Sequence, residues 1–366
     1  MSTGSFHLSP ITGSTHFDLV PCPMCGGSRK REVFRYRSNA FRAIQQTISD
    51  QYGVPFSIPG DTHFHVFRCS CCGGGYTLPR LNTQGAEKFY TEYYEDVYGP
   101  SADVSMQFTH SVYDSGPLPR DFRRAQAVRK RQPHGKTLLD VGCSTGGFLL
   151  AAMVDGWQAS GVELSSSAAE TATRLTGATV YQGSLEQSPF TEGQFDVITM
   201  FALIEHLPDP LATLQHAAKL LKRGGILVLQ VPSILSLEAR VHLLVPDAQR
   251  HGYLFEHLTY FSPQSLRAAL DQLGLKELEI TSKHWDETAG ISLTERIRGR
   301  LLRRAPLPPE SYHPLGSKRR VETEAVPGLE LLVEAAFDQL KPALESTSLG
   351  GRLCLGNVLV CWAQRR

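Results

Sequence analysis

The sequence predicts an α/β fold with a parallel sheet, preceded by a small cysteine-rich unit. Three observations lead to this prediction. Strand-like and helix-like segments alternate from Lys136 onward, which is the pattern of successive βα units. A glycine-rich turn at Gly142–Gly147 joins the first of these strands to its helix. Two Cys-x-x-Cys pairs, starting at Cys22 and Cys69, precede this region in the 366-residue chain.

Composition narrows the classes of function. Hydrophobic residues make up 41% and charged residues 20% of the chain, as in ordinary folded domains. The formal net charge of +1 gives no argument for nucleic acid or an anionic membrane as partner. No apolar run is long enough for a transmembrane helix, and the polar start lacks a signal-peptide pattern. We therefore expect a cytoplasmic protein whose eight cysteines are reduced or bind metal.

The two cysteine pairs predict a structural zinc site. Cys22 with Cys25, and Cys69 with Cys72, are each separated by two residues and followed by glycine. This spacing lets both thiolates of a pair face one ion, and four thiolates suit Zn²⁺. A closed four-cysteine site has no open position for catalysis. The alternatives are that these residues are buried free cysteines or form a cytosolic disulfide.

The region between the cysteine pairs predicts short strands and a basic surface. Strands are expected over Val33–Arg37 and His63–Arg68. His63 and His65 are alternative zinc ligands, but their alternation with apolar residues is typical of an ordinary strand. The basic run Arg29–Arg31 is either a phosphate contact or a solvated strand face.

The segment before the α/β region is rich in tyrosine. Aromatic residues from Phe89 to Tyr98 recur at spacings of three and four, which predicts an amphipathic helix over Leu81–Gly99. This helix either packs between domains or forms a lid over a substrate. A basic helix is expected at Asp121–Arg131. We divide the chain into a disordered tail (1–18), a zinc-binding domain (19–80), a helical linker or lid (81–132), an α/β core (133–285) and a C-terminal insertion with a helix and the last core strand (286–366).

The core is expected to contain seven strands. They are Thr137–Val141, Gln158–Glu163, Ala178–Tyr181, Phe195–Met200, Ile226–Val231, Lys276–Ser282 and Asn357–Ala363. Helices are expected at Phe148–Val154, Ser165–Arg174, Pro208–Leu221 and from Ser262 to Gly274. Lys222, Arg223 and Gly224 form the expected stop of the third of these helices.

The glycine-rich turn carries the strongest functional signal. Gly142 and Gly146 allow the backbone to approach a ligand, and the following helix offers its N-terminal amides. Asp140 ends the first strand, where it can bind a cationic amine directly or through water. Glu163 ends the next strand, where open α/β folds place a carboxylate against ribose hydroxyls.

Three ligands or chemistries compete for this turn. A dinucleotide site requires G-x-G-x-x-G, but Ser144 occupies the middle position and Asp140 would repel a pyrophosphate. A hydrolase elbow, G-x-S-x-G, is satisfied literally by Gly142–Gly146, yet its upstream oxyanion-hole loop is replaced by the cysteine unit. The third candidate is S-adenosylmethionine, whose ammonium suits Asp140 and whose ribose suits Glu163.

With these residues in view, the chain resembles class I methyltransferases that carry an N-terminal zinc ribbon. The group includes sugar C-methyltransferases and tailoring enzymes of polysaccharide and natural-product pathways. The resemblance extends from Cys22 to about Leu273. It rests on the four cysteines, the tyrosine-rich linker, Asp140-x-Gly142-x-x-x-Gly146, Glu163, Phe195-Asp-Val-Ile, Ile204-Glu-His-Leu-Pro-Asp-Pro and Glu256-His-Leu-x-Tyr-Phe-Ser.

The resemblance implies a Rossmann-like, seven-stranded α/β core with a small N-terminal zinc-ribbon-like domain. It also implies S-adenosylmethionine as methyl donor, S-adenosylhomocysteine as product and structural Zn²⁺. Asp140, Gly142 and Gly146 would hold the methionine part of the donor. Glu163 would bind the ribose, with Leu164 against the adenine.

Further donor contacts are implied after two other strands. Ser184 and Leu185 match the loop at the adenine edge, although the family often has aspartate where Ser184 stands. Ser144 also replaces a common glycine. Phe201 and Ala202 would border the donor methyl group.

Two Glu-His pairs are the catalytic candidates. His206 follows the fourth strand of the core, and we hypothesise that it is a general base or an acceptor anchor. Glu205 precedes it and is expected to orient it. His257, preceded by Glu256, is expected to line the acceptor pocket. The alternative is that both histidines only pack.

The predicted acceptor is a small biosynthetic molecule: a sugar, a nucleotide sugar or a natural product. Arginines over Arg296–Arg304 and Lys318–Arg320, in the insertion before the last strand, either grip a phosphorylated acceptor or form a solvated face. A helix is expected at Val326–Leu344. The alternatives are a zinc-ribbon RNA methyltransferase, against which the near-neutral charge counts, and a non-catalytic binding protein of the same fold. No membrane partner is expected, and the oligomeric state stays open.

Overall fold

A computed structural model of the chain describes residues 17–37, 63–93, 120–236, 256–283 and 358–366. Its strands are β1 (Phe17–Asp18), β2 (Lys30–Arg37), β3 (His63–Cys69), β4 (Gly75–Leu78), β5 (Arg80–Leu81), β6 (Thr137–Val141), β7 (Gln158–Glu163), β8 (Thr179–Gln182), β9 (Phe195–Phe201), β10 (Leu221–Pro232), β11 (Thr259–Tyr260), β12 (Leu275–Lys283) and β13 (Val358–Arg365). Its α-helices are α1 (Thr83–Lys88), α2 (Arg120–Arg131), α3 (Gly147–Val154), α4 (Ser166–Thr176), α5 (Pro210–Leu220) and α6 (Pro263–Gln272).

A mixed seven-stranded sheet forms the core, in the order β12-β13-β10-β9-β6-β7-β8. The five strands from β10 to β8 are parallel, and β13 runs antiparallel to both of its neighbours. All seven predicted core strands are present, and the α/β class is confirmed. The carboxyl ends of the parallel strands therefore meet at one edge of the sheet, where ligands bind in open α/β folds.

Alternating residues of the central strands pack on opposite faces of this sheet. Leu138 and Val197 join α2, α3 and α4 in one buried cluster. Leu139 and Ile198 join α5 and α6 in the other, which also includes residues of the cysteine unit. Each of these strand residues is fully buried. The central strands contain apolar runs because helices cover both faces of the sheet.

Local capping fixes where the core helices begin. Ser165 accepts a hydrogen bond from a backbone amide of α4, and Asp209 does the same for α5. Ser262 and Ser265 form a reciprocal capping box at the start of α6. These side chains satisfy amides that a helix leaves unpaired at its first turn.

The predicted stop of the helix Pro208–Leu221 and the predicted start of the strand Ile226–Val231 were wrong. The helix α5 ends at Leu220, and β10 begins immediately at Leu221, so Lys222 and Gly224 lie inside the strand instead of closing the helix. The residues between Leu221 and Ile226 form a bulge in the pairing with β9, and Gly224 adopts a φ of +76° there. A left-handed glycine serves a bulge as well as a helix end, and the local sequence does not distinguish them.

The predicted tyrosine helix is also interrupted. The described part consists of the short helix α1 followed by a π-helical turn at Phe89–Tyr93. At the predicted disordered tail, Phe17–Asp18 pairs with β5. Residues 1–16, the remainder of the tyrosine segment, the arginine clusters and the helix predicted at Val326–Leu344 lie outside the described residues. Among the described helices, none has the length and apolarity needed to cross a membrane.

The N-terminal sheet is completed by a strand from the core. Its order is β11-β4-β3-β2 with antiparallel pairing throughout, and Thr259 of β11 lies opposite Tyr76 of β4. The Thr77 hydroxyl donates a hydrogen bond to the carbonyl of His257, at 2.9 Å. Arg80 donates to the carbonyl of Leu207, at 3.1 Å. The cysteine unit is therefore attached to both segments that carry the Glu-His pairs.

Candidate active site and cysteine centre

The turn after β6 requires glycine at two positions. Gly142 and Gly146 have φ values of +73° and +86°. A Cβ on Gly142 would lie 2.9 Å from a methyl carbon of Leu203, and one on Gly146 would lie 3.0 Å from the Cα of Ala172. Side chains at these positions would combine left-handed strain with close contacts. The turn thus brings bare backbone and the start of α3 to the carboxyl edge of the sheet.

Asp140 lies at the end of β6, directly before this turn. Its side chain is 4% exposed, and Oδ1 accepts a hydrogen bond of 2.6 Å from the Thr199 hydroxyl. Burial raises the pKa of Asp140 to about 7, because removal from water penalises the charged carboxylate. A cation placed beside this group would stabilise its ionised form.

Glu163 links the end of β7 to the glycine-rich turn. Its Oε2 accepts a hydrogen bond from the amide of Ser144, and its Oε1 accepts one from the amide of Ser165, both at 2.9 Å. Burial raises the pKa of Glu163. Each carboxylate oxygen has a second acceptor direction, so the group can still receive hydroxyl donors. Leu164 follows directly and is partly exposed.

The remaining donor candidates lie after β8 and β9 on the same edge. Ser184 precedes a 3₁₀ turn whose first residue, Leu185, is 2% exposed. Phe201 makes an edge-to-face contact with Phe148 of α3, with ring centroids 4.9 Å apart. Ala202 adopts a φ of +54°, which is strained for a residue with a side chain and is typical of functional sites.

Glu205, His206 and His257 form a compact cluster past the end of β9. Their candidate ligand atoms all lie within 4.8 Å of one another, and the two imidazole centroids are 4.7 Å apart. His206 Nδ1 donates a hydrogen bond to the carbonyl of Glu256, at 3.1 Å. This carbonyl, rather than the side chain of Glu205, orients the His206 ring.

The electrostatics of this cluster favour neutral groups. Burial, reinforced by the charge of His257, lowers the pKa of His206 well below its ordinary value. Burial raises the pKa of Glu205 to about 8. Glu205 is 2% exposed, and its Oε2 has no hydrogen-bond partner among the described residues. A buried carboxylate oxygen without a partner is costly, which marks Glu205 as more than a packing residue.

The four predicted cysteines converge on one point. The Sγ atoms of Cys22 and Cys72 are 3.6 Å apart, as are those of Cys25 and Cys69. All four lie within 4.8 Å of one another. Sulfurs bound to one tetrahedral zinc at about 2.3 Å are separated by ~3.8 Å. The hydrogen bond between these two thiols lowers the pKa of Cys72 and raises the pKa of Cys22, because the pair shares one proton.

Among the described contacts, Cys71 approaches the cysteine centre through its backbone and not through its side chain. Its amide donates to the Sγ of Cys69 at 3.3 Å, while its own side chain is exposed. N–H to sulfur bonds of this kind stabilise a thiolate. Each cysteine pair lies in a closed turn: Cys22 N donates to the carbonyl of Gly27, and Cys69 N donates to that of Gly74.

A family model and a similar protein both indicate a methyltransferase. Residues 118–280 match a family described as Methyltransferase domain. The ubiquinone biosynthesis O-methyltransferase of Vibrio cholerae is 31% identical over 229 residues, which cover 57% of this chain and 87% of the relative. The chain belongs to the class I S-adenosylmethionine-dependent methyltransferases. It is an enzyme of that family, and the N-terminal four-cysteine cluster accompanies the catalytic domain.

Two solved methyltransferase structures are also similar. One is an S-adenosylmethionine-dependent methyltransferase of Thermotoga maritima, with 18% identity, a TM-score of 0.44 and coverage of 74% of this chain and 100% of that chain. The other is the sugar N-methyltransferase KedS8 of Streptoalloteichus, with 29% identity, a TM-score of 0.28 and coverage of 31% and 47%.

Arg124 of this methyltransferase is a site candidate that the sequence did not single out. Its guanidinium lies 4.4 Å from the ring centroid of Phe201 and donates to Gln230 Oε1 at 2.7 Å and to Asp121 at 3.0 Å. Burial lowers the pKa of Arg124 to about 10. Arg124 Nε and Gln230 Nε2 are buried and have no hydrogen-bond partner among the described residues. Two unsatisfied donors on residues that are hydrogen-bonded to each other are suited to a ligand carboxylate.

The methyltransferase therefore gathers its predicted site residues into two groups. Asp140, Glu163, Phe201 and the glycine-rich turn meet at the carboxyl edge of adjacent strands. Glu205, His206 and His257 lie just past the end of β9, and Leu203 connects the groups by packing against Gly142. The cysteines form a separate centre at the end of β3 and in the turns next to the N-terminal sheet.

Proposed function

We propose that this enzyme transfers a methyl group from S-adenosylmethionine to a small biosynthetic molecule, such as a sugar, a nucleotide sugar or a natural product. The observation that carries the proposal is the set of unsatisfied and oppositely charged groups around one glycine-rich turn, next to a buried Glu-His-His cluster. The relatives are named as ubiquinone and sugar methyltransferases, which supports a small-molecule acceptor for this chain.

The donor site is proposed from the chemistry of the groups present. Arg124 Nε and Gln230 Nε2 are buried donors without partners, and they fit the methionine carboxylate. Asp140 fits the ammonium, since a cation offsets the cost of a buried carboxylate. Glu163 fits the ribose hydroxyls. S-adenosylmethionine supplies an electrophilic methyl group on a sulfonium sulfur.

The adenine end and the methyl end are assigned to different strands. Leu164, Ser184 and Leu185 follow β7 and β8, and we assign them to the adenine. Phe201 follows β9, beside Arg124, and we assign it to the wall next to the methyl group. With Asp140, Gly142, Gly146 and Glu163, these residues complete the proposed donor site.

We assign the acceptor side to Glu205, His206 and His257. Because Nδ1 of His206 donates to the Glu256 carbonyl, Nε2 of the neutral ring carries a lone pair that can accept a proton or a hydrogen bond from the acceptor. The principal task of such an enzyme is to align the acceptor with the methyl group and to exclude water. Burial of Glu205 and neighbouring Ile204 supplies a water-poor wall.

The four cysteines are proposed to bind a structural zinc ion. The Sγ separations of 3.6 Å fit a tetrahedral ion, and four thiolates leave no open position for catalysis. Because β4 of the same unit pairs with β11, the proposed role is to fix the segment that begins with Glu256 and His257.

The test is transfer of labelled methyl from S-adenosylmethionine into fractions of an extract from the native host. We expect label in the small-molecule or nucleotide-sugar fraction, which chromatography can then resolve into a single acceptor. Label confined to RNA would overturn the small-molecule proposal. Donor binding without label in any fraction would favour a non-catalytic protein. The Glu163→Ala variant is the control for label that does not depend on the proposed donor site.

A further inference from the structure

The acceptor-side cluster has a feature that a histidine base does not explain. A base needs an imidazole and a group that orients it, and the Glu256 carbonyl already orients His206. Glu205 remains, with a carboxylate oxygen that is buried and has no partner among the described residues. A second imidazole, that of His257, lies beside the first.

We propose that Glu205, His206 and His257 form a binding site for a divalent transition-metal ion that contacts an oxygen atom of the acceptor. The metal site rests on this geometry, whereas the acceptor contact rests on the proposed function. The site is distinct from the four-cysteine centre, which has a different ligand set of four thiolates.

The distances suit a single ion. The three candidate ligand atoms lie within 4.8 Å of one another. Nitrogen and oxygen ligands bind such ions at about 2.0–2.2 Å, so two ligand atoms of one ion are separated by at most ~4.4 Å. Closure onto an ion therefore needs side-chain movements of only a few tenths of an ångström. The carboxylate oxygen without a partner is a ligand that the ion would satisfy.

The surroundings of His206 are those of a metal ligand. Metal-binding histidines usually donate their other ring N–H to a backbone carbonyl or carboxylate, which fixes the ring and leaves the opposite nitrogen bare. His206 does this through Nδ1 to the Glu256 carbonyl. Nε2 is then the unprotonated nitrogen, and it is the one that would bind the proposed ion.

The backbone joins the three ligands into one framework. Leu258 N donates to the carbonyl of Glu205, at 2.8 Å, so the segment that carries His257 is tied directly to the turn that carries Glu205 and His206. The Thr77 hydroxyl holds the carbonyl of His257 from the cysteine unit. The ligands thus come from two segments that are fixed to each other, as a preorganised site requires.

The ligand set indicates the class of ion and its use. Two imidazoles and one carboxylate suit Zn²⁺, Fe²⁺, Mn²⁺ or Co²⁺ better than Ca²⁺ or Mg²⁺, which prefer oxygen ligands. Three protein ligands leave coordination positions open, as in catalytic and not structural metal sites. An oxygen-bearing acceptor can occupy such a position, next to the carboxyl edge of the sheet where the methyl donor is proposed to bind.

The test is a titration with Mn²⁺ alone. The protein is the full chain, and its cysteine centre is loaded with zinc beforehand. Mn²⁺ is chosen because it favours nitrogen and oxygen ligands over thiolates, and free Mn²⁺ is measured by its electron paramagnetic resonance signal. We expect one Mn²⁺ to bind per chain. We expect Glu205→Gln and His257→Ala each to weaken this binding by at least about tenfold, because each removes one of three ligands. His134→Ala, at an exposed position outside the cluster, should bind Mn²⁺ like the unaltered chain.

The outcomes separate the metal site from the proposed function. S-adenosylhomocysteine affinity is measured for every variant, and an unchanged value shows that the fold and donor site are intact. The absence of Mn²⁺ binding to the unaltered chain, or equal binding to the Glu205→Gln variant, would overturn the metal site. Methyl transfer that persists in that case would leave the proposed function standing. Mn²⁺ binding without any methyl transfer would support the metal site and count against the proposed function.

Discussion

Replacing Glu163 by alanine is expected to weaken the binding of S-adenosylhomocysteine about 100-fold. Glu163 is assigned to two ribose hydroxyls, and a hydrogen bond to a charged group contributes roughly 1.5–3 kcal/mol. Loss of about 2.7 kcal/mol corresponds to a factor of ~100 in the dissociation constant. The same side chain also holds the amide of Ser144, so its loss loosens the turn as well. Isothermal titration calorimetry measures the affinity directly.

The control for this experiment is Glu170→Gln. Glu170 lies on the exposed face of α4, so removal of its charge tests the effect of a lost carboxylate away from the site. We expect its affinity to remain within about twofold of the unaltered chain, which is within ~0.4 kcal/mol. A folded Glu163→Ala protein with unchanged affinity would remove Glu163 from the donor site.

Replacing Cys72 by serine is expected to release the ion from the cysteine centre and lower the melting temperature by about 10 °C. Structural zinc contributes directly to folding, and a loss of several kcal/mol shifts the melting temperature of a domain of this size by roughly 2–4 °C per kcal/mol. Cys72 is 4% exposed and lies next to Cys22. Calorimetric melting and the thiolate-to-cobalt absorption of the Co²⁺-substituted protein measure the two effects.

Cys71→Ser is the matched control, because only the backbone amide of Cys71 contacts a ligand sulfur among the described interactions. It should retain the cobalt absorption and the melting temperature. Because the sheet that contains Cys69 ends on β11, Cys72→Ser should also reduce turnover more than donor affinity. Unchanged melting and absorption in Cys72→Ser would show that the cysteines do not hold a structural ion.

The sheet and the cysteine centre could be predicted from the sequence because their signals are local. The central strands β6, β9 and β10 contain short apolar runs, and the pairs starting at Cys22 and Cys69 carry their spacing within four residues. Asp140 and Glu163 were identified because each ends a strand beside a glycine-rich turn or a helix start. The seven strands and the four-cysteine cluster are confirmed, whereas the roles of the individual side chains stay predictions.

What sequence reasoning missed depends on distant contacts. Arg124 is one of several basic residues on α2, and it is distinguished only by Phe201 and Gln230, which arrive from strands far along the chain. The pairing of β11 with β4 joins Thr259 to Tyr76 through a strand of two residues. Such a short strand has no periodicity to detect. The same contacts place His257 beside His206, which spacing alone did not show.

A crystal structure with bound S-adenosylhomocysteine tests the central claim most directly. The account predicts that the ligand lies along the carboxyl edge of the sheet, with its carboxylate on Arg124 and Gln230, its ammonium near Asp140 and its ribose on Glu163. The sulfur would then face the side occupied by His206 and His257. A ligand bound elsewhere, with Arg124 Nε and Gln230 Nε2 still lacking partners and Glu163 bonded only to its two amides, would contradict the account.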